Sequence, residues 1–325
     1  MDISEKNTYT WDVPRTAHTH QESWARLCAL IGRGVWRRLT GQYGPVQDIA
    51  IQAVDHEIGT QYQWLGHASF AICISGVSIL IDPIIGNASW FFPRLQQPVF
   101  EANYFKKIQY ILITHNHQDH LDYTTIRFIL AENPAVIFLV PQGDGARLRR
   151  WGARTVHEFS WWQQWVISHS KQEKAPVTIT FVPASHWSGR GLFDRNISLW
   201  GGWYIESENT RLFHAGDTGY DTHFNAIYER CGSPDIAFLP IAPGSACAVH
   251  LDAEGALRAQ MALRAKKMVP MHWGTFWFDY ESPHYQRDYL IDKKLSSVQA
   301  VEPGIWHDIA LPMYNAKPDQ VELQL

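Results

Sequence analysis

The spacing of hydrophobic positions changes character near residue 60. Before it, apolar residues recur at helical intervals. Trp24, Leu27, Cys28, Ile31, Val35 and Leu39 share one face at about 100° per residue. Arg26, Arg33 and Arg37 share the opposite face. Thr19 and Glu22 fit a capping box and Gly41 is a natural stop, so a helix is expected between them. Gly32 and Gly34 weaken it by about 1 kcal/mol each. An amphipathic, basic helix of this kind suits two uses: packing on the rest of the chain, or lying on an anionic membrane.

Beyond residue 60 the apolar runs are short and strand-like. Strands are expected at 62–65, 67–74 and 77–81, the last two joined across Ser75-Gly76, and then at 110–114, 136–140 and 177–182. A hairpin is expected from 200–206 and 211–214, and further strands at 236–240 and 268–271. Helical patterns at 122–131 and 252–267 fall between them. Strands interspersed with helices predict an α/β layered fold. The expected organisation is a tail and helix over 1–55, a main domain over 56–313 and a short tail over 314–325.

Composition narrows the class. Of 325 residues, 46% are apolar and 18% charged, which is globular rather than disordered. A net charge of -4 argues against a nucleic-acid partner. Cys28, Cys73, Cys231 and Cys247 are widely spaced and form no CxxC, so neither a disulfide framework nor a thiolate zinc site is expected. A reduced, cytoplasmic setting follows as the expectation. The polar first ten residues do not read as a signal peptide. No run approaches the roughly 20 apolar residues that span a bilayer, so any membrane contact would be peripheral. A homodimer is compatible with all of this.

The candidate chemistry lies just past strand ends. Thr114-His115-Asn116-His117-Gln118-Asp119-His120 follows the 110–114 strand directly. Alternation places His115 and His117 on one side, where both imidazoles can meet one ion. Asp119 and His120 follow in a turn and can address an adjacent position. Imidazole and carboxylate are the usual ligands of zinc and related divalent ions, and such sites also accept iron or manganese. His186, Asp217 and His272 each sit after a later strand, among small residues that let backbone approach closely.

This arrangement resembles the metallo-β-lactamase superfamily. The resemblance implies a four-layer αββα sandwich with a two-metal site at its edge and an N-terminal helical extension. Position by position, it implies one metal on His115, His117 and His186, and a second on Asp119, His120 and His272. Asp217 would bridge them, and Asp119 and Asp217 would carry the hydrolytic chemistry. Trp64-Leu-Gly-His-Ala-Ser-Phe70 and Leu80-Ile-Asp-Pro83 resemble the branch holding ascorbate-phosphate lactonases and N-acyl-phosphatidylethanolamine-hydrolysing phospholipases D. Thr114-His-Asn-His-Gln-Asp-His-Leu-Asp-Tyr123, Pro183-Ala-Ser-His-Trp187, Phe213-His-Ala-Gly-Asp-Thr-Gly-Tyr220 and His272-Trp-Gly-Thr-Phe276 resemble the phospholipases in particular. Trp161-Trp162 and the stretch from His250 to Ala256 have counterparts there as well.

The resemblance covers roughly residues 60–310 and implies cleavage of a phospholipid diester to phosphatidic acid and an N-acylethanolamine. The stretch after Pro240 departs from the family's pattern and bears on substrate identity. A soluble hydrolase of a lactone or small phosphodiester remains the alternative. A non-catalytic membrane-associated metal-binding protein is a third reading, which the complete ligand set disfavours. His250 reads either as a contact to the phosphate or head group or as a buried structural histidine. His67 and Asp82 read as supports for the metal ligands, since ligating histidines usually donate their other N–H to a carboxylate or carbonyl. Trp90, Phe91 and Phe92 either rim a membrane-facing entrance or fill a buried cluster.

Overall fold

The computed structural model describes residues 20–53, 59–168, 175–191, 193–208, 210–244 and 249–309, and side chains from residue 28 onward. The first half of the chain runs α1 (His20–Leu39), β1 (Gln47–Ile51), β2 (Gln61–Trp64), β3 (Phe70–Ile74), β4 (Val77–Ile81), β5 (Gln96–Phe100), β6 (Tyr110–Leu112), α2 (Tyr123–Glu132), β7 (Ile137–Pro141), α3 (Gly145–Arg150) and β8 (Thr155–Phe159). The second half runs β9 (Gln164–Ile167), β10 (Val177–Val182), β11 (Gly202–Ser207), β12 (Thr210–His214), α4 (His223–Cys231), β13 (Ile236–Pro240), α5 (Ala253–Leu263), β14 (Lys267–Met271), α6 (Tyr285–Asp292) and β15 (Trp306–Asp308). Apart from β15, each large sheet is built from one half of the chain. The first has the order β15-β2-β3-β4-β6-β7-β8 and the second β14-β13-β12-β11-β10-β9, with β1 and β5 forming a separate pair.

Strand alternation explains the layering. In β3, Phe70, Ile72 and Ile74 enter the core between the sheets, while Ala71 and Cys73 turn to the other face. In β4, Val77, Ile79 and Ile81 point between the sheets and Leu80 points away. The inward set meets Phe181, Trp203, Phe213 and Phe238 of the opposite sheet. The outward set is covered by Ile126 and Ile129 of α2 and Leu148 of α3. On the far side, α4 and α5 cover the second sheet through Phe224, Ile227, Ala256 and Leu263. This is the αββα sandwich. Strands covered on both faces read as continuous apolar runs, as β3 and β4 do. Phe238 is fully buried, its ring 4.4 Å from Phe70 and 5.2 Å from Tyr62. Truncating such a side chain to alanine costs about 3–5 kcal/mol.

The first element departs from its sequence pattern. The helix forms, but the face that carries Arg33 and Arg37 turns inward. Arg37 is buried and donates to the carbonyl oxygens of Trp277 and Asp279, and Arg33 lies over the Tyr280 ring. Leu39 and Trp36 point outward, 72% and 62% exposed. The expected apolar packing face is therefore corrected: carbonyl and aromatic partners on the 277–280 segment favour guanidinium over alkyl groups there. Thr19 and the side chain of Glu22 lie outside the described residues, as do the tails at 1–18 and 314–325. Of the expected aromatic loop, Trp90 is 59% exposed and Phe92 is buried, so the loop is half exposed and half core. Among the described residues, Cys28, Cys73 and Cys231 form no disulfide, and no helix is long and apolar enough to cross a membrane.

Candidate metal centre

The strands that precede the candidate ligands run in one sense. β4 and β6 are parallel neighbours, as are β12, β13 and β14, and β10 shares the sense of β12 because each is antiparallel to β11. Their C-terminal ends meet at one edge of the sandwich, where α/β folds place ligands. Past β4 comes Asp82, past β6 His115 to His120, past β10 His186, past β12 Asp217 and past β14 His272. Register aligns the first two: Ile81 pairs with Leu112, and Asp82 N donates to Leu112 O at 2.9 Å.

Two groups of donors result. In one, ligand atoms of His115, His117, His186 and Asp217 all lie within 4.8 Å of one another. In the other, those of His67, Asp119, His120 and His272 do so. Asp217 spans the gap, with Oδ2 3.2 Å from His120 Nε2 and Oδ1 3.1 Å from His272 Nε2. All seven residues expected to hold metal are thus brought together. His250 joins them, its Nδ1 3.7 Å from Asp217 Oδ2.

The surroundings aim each ring. His120 Nδ1 donates to Asp82 Oδ2 at 2.7 Å, which leaves the Nε2 lone pair facing the site. Asp82 also accepts from Thr114 N at 2.8 Å and from Thr114 Oγ1 at 2.6 Å. His186 Nδ1 donates to Val249 O at 2.9 Å, again freeing Nε2. His67 Nε2 lies 3.0 Å from Asp119 Oδ2, so it supports the carboxylate rather than another imidazole. Asp82 and His67 therefore stand where supports of the ligands are needed.

The donor chemistry fits cations. His115 Nε2 lies 2.9 Å from His117 Nδ1, and His117 Nδ1 lies 3.2 Å from His186 Nε2. With their Nδ1 atoms turned to Thr114 and Val249, His115 and His186 both aim Nε2 at His117 Nδ1, and one proton or one shared cation reconciles the three nitrogens. Among the described residues, the buried ring atoms His120 Nε2, His272 Nε2 and His250 Nδ1 have no hydrogen-bond partner, nor has Asp217 Oδ1. Burial raises the Asp217 carboxyl, but His120, His272 and His250 outweigh it and hold it well below the usual range. Burial likewise opposes charge on His120, yet Asp217 and Asp119 raise its pKa well above the ordinary value. The buried Asp217 carboxylate, with the half-buried Asp119 carboxylate beside it, demands positive charge.

Residues 78–273 match the family model described as a beta-lactamase superfamily domain. The chain belongs to the metallo-β-lactamase superfamily. Within this superfamily it is 30% identical over 251 residues to a Caenorhabditis elegans protein described as N-acyl-phosphatidylethanolamine-hydrolyzing phospholipase D 1, covering 71% of this chain and 68% of that protein. It is 31% identical over 251 residues to a metal-dependent hydrolase of Hyperthermus butylicus, covering 74% of this chain and 96% of that protein. The chain spans 58% of the length of mycobacterial relatives and 47% of a Saccharomyces cerevisiae one. Among solved structures, a metallo hydrolase from Ignicoccus hospitalis superposes with a TM-score of 0.58 at 25% identity, over 77% of this chain and 98% of that one. The chain is a metal-dependent hydrolase of the metallo-β-lactamase fold, with a His/Asp centre suited to divalent metal.

The structure adds supports that the motif reading did not assign. Asn116, between two ligands, donates from Nδ2 to Asp144 Oδ1 at 3.0 Å and accepts from Gly189 N at 2.7 Å. Arg190 donates to the carbonyl oxygens of Asn116 and Leu121, clamping the ligand loop from outside. Asp144 follows strand β7 as Asp82 follows β4, so the same strand-end criterion points to it.

Proposed function

We propose that this hydrolase cleaves a phosphodiester in a lipid head group, converting N-acyl-phosphatidylethanolamine to phosphatidic acid and an N-acylethanolamine. The observation that carries the reading is His250. It follows β13 and sits beside Asp217, between the two donor groups, with a buried Nδ1 that no group among the described residues satisfies. An imidazole so placed suits a phosphoryl or head-group oxygen. The C. elegans relative, by its name, acts on this lipid.

On this reading His115, His117 and His186 would hold one divalent cation, and Asp119, His120 and His272 a second, with Asp217 between; zinc suits these donors best. Such a pair, when bound, would supply an acidified water and positive charge for the departing oxygen. The chain does the rest. Asp119, anchored at Oδ2 by His67 and still 18% exposed, orients the attacking water. Asp82 and Val249 O keep the His120 and His186 rings from turning. Trp36, Leu39 and Trp90 project outward, with the Arg38 guanidinium 5.3 Å from the Trp90 ring. Aromatic, aliphatic and basic groups together suit the head-group region of an anionic membrane.

A second reading is hydrolysis of a lactone or small soluble phosphodiester; the H. butylicus relative, matched over 96% of its length, is by its name only a metal-dependent hydrolase. The full chain incubated with vesicles of N-acyl-phosphatidylethanolamine and anionic phospholipid separates the two. Release of phosphatidic acid and N-acylethanolamine is expected, together with sedimentation of the protein with the vesicles. Turnover of soluble phosphodiesters or lactones alone would sink the lipid reading.

A further inference from the structure

His67 and His272 share an unusual backbone. Both are left-handed, with φ of 53° and 69°. For residues other than glycine this conformation is strained and persists only where the surroundings enforce it. His272 N donates to His67 O at 3.0 Å, and His67 N donates to Thr275 Oγ1 at 2.6 Å. Their geometry therefore depends on the segment that follows His272.

That segment is held by α1. Phe278 lies 5.7 Å from the His67 ring and 6.0 Å from the His272 ring, centroid to centroid. On its other side it packs 4.9 Å from Phe92. Gly34 of α1 presses on Phe91 and Phe92 so closely that a Cβ there would come 2.7 Å from Phe91 O. Arg37 donates to Trp277 O at 3.1 Å and to Asp279 O at 2.9 Å, and its guanidinium lies 3.8 Å from the Trp277 ring centroid. The His115, His117 and His186 rings take their orienting contacts elsewhere, from Thr114, from one another and from Val249.

We infer that α1 is a positioning element for the second half of the metal centre, the half built on Asp119, His120 and His272 with His67 behind them. The inference rests on the two-cation reading of the site. Arg37 and Gly34 act through the 276–280 segment and touch no ligand themselves.

The test is a zinc titration of the dialysed full chain, comparing wild type with Arg37→Met and Gly34→Ala. The glycine variant gains helix propensity, so it displaces the contact without weakening the helix. Wild type is expected to bind two equivalents. Both variants are expected to keep the tighter equivalent unchanged and to bind the other about tenfold to a hundredfold more weakly, as loss of a supporting contact does. Trp36→Gln, on the outward side of α1, is expected to bind both as wild type does. Unchanged affinity for both equivalents in both variants would overturn the inference alone, as would equal weakening of the two. Fewer than two equivalents in wild type would overturn the two-cation reading and this inference with it.

Discussion

Asp82 and His120 are joined through His120 Nδ1 and Asp82 Oδ2 at 2.7 Å, with both side chains fully buried. This single contact selects the His120 tautomer and aims Nε2 at Asp119 and Asp217. Asp82 is also tied to Thr114, the residue before His115. One carboxylate thus coordinates two features of the centre, a ring orientation and the start of the ligand loop.

Asp82→Asn should therefore lower divalent-metal affinity by about tenfold to a hundredfold, the usual cost of losing a support behind a ligand. The fold should survive, because Asn is isosteric. A metal titration together with a thermal melt distinguishes these. Unchanged affinity would mean that His120 is oriented by its packing alone.

His214 predicts an acid limit to stability. Burial pushes its pKa down to about 4, against the opposing pull of Asp82 and of the Ala68 carbonyl. The unfolded imidazole binds a proton near pH 6.5 and the folded one does not. Its contribution is complete above about pH 6.5 and is lost as the pH falls toward 4, amounting to about 3 kcal/mol. Melting curves of wild type and His214→Gln across this window should converge as the pH falls.

Asp144 predicts the opposite slope. Burial pushes its carboxyl up to about 6, despite the hydrogen bonds from Asn116 and Ser198, and Oδ2 has no partner. The folded state holds this proton more tightly than the unfolded one. The contribution is present below about pH 4 and is lost as the pH rises through 6, by about 3 kcal/mol. Asp144→Asn should gain stability relative to wild type over that range, and parallel melting curves would contradict the assignment.

The legible parts of the molecule were those with strong local signals. β3, β4 and β13 are continuous apolar runs because both faces are covered, and Asp122 and Asp252 cap α2 and α5 through Thr125 N and Gly255 N. The seven residues gathered at the site were readable because each follows a strand that ends at the same edge. Other elements lacked such marks. β1 and β5 pair only with each other, and Pro98 interrupts the apolar pattern of β5. α4 and α6 begin at Thr222 and His284, neither of which makes a side-chain cap. The end of α5 was overestimated, since Arg264 turns left-handed and β14 begins at Lys267. The orientation of α1 was not readable at all. Helical periodicity reports that two faces differ, whereas the inward choice was made by Trp277, Asp279 and Tyr280, some 240 positions away. The supports at Asn116 and Arg190 are equally non-local.

The most direct test of the central claim is phosphatidic acid release from N-acyl-phosphatidylethanolamine vesicles, followed as divalent cation is added back to metal-stripped protein. Wild type should reach its plateau at two cations per chain. Asp217→Asn should stay near background, a larger loss than the roughly hundredfold expected of a supporting residue. Release that is independent of added cation, or undiminished in Asp217→Asn, would contradict the account.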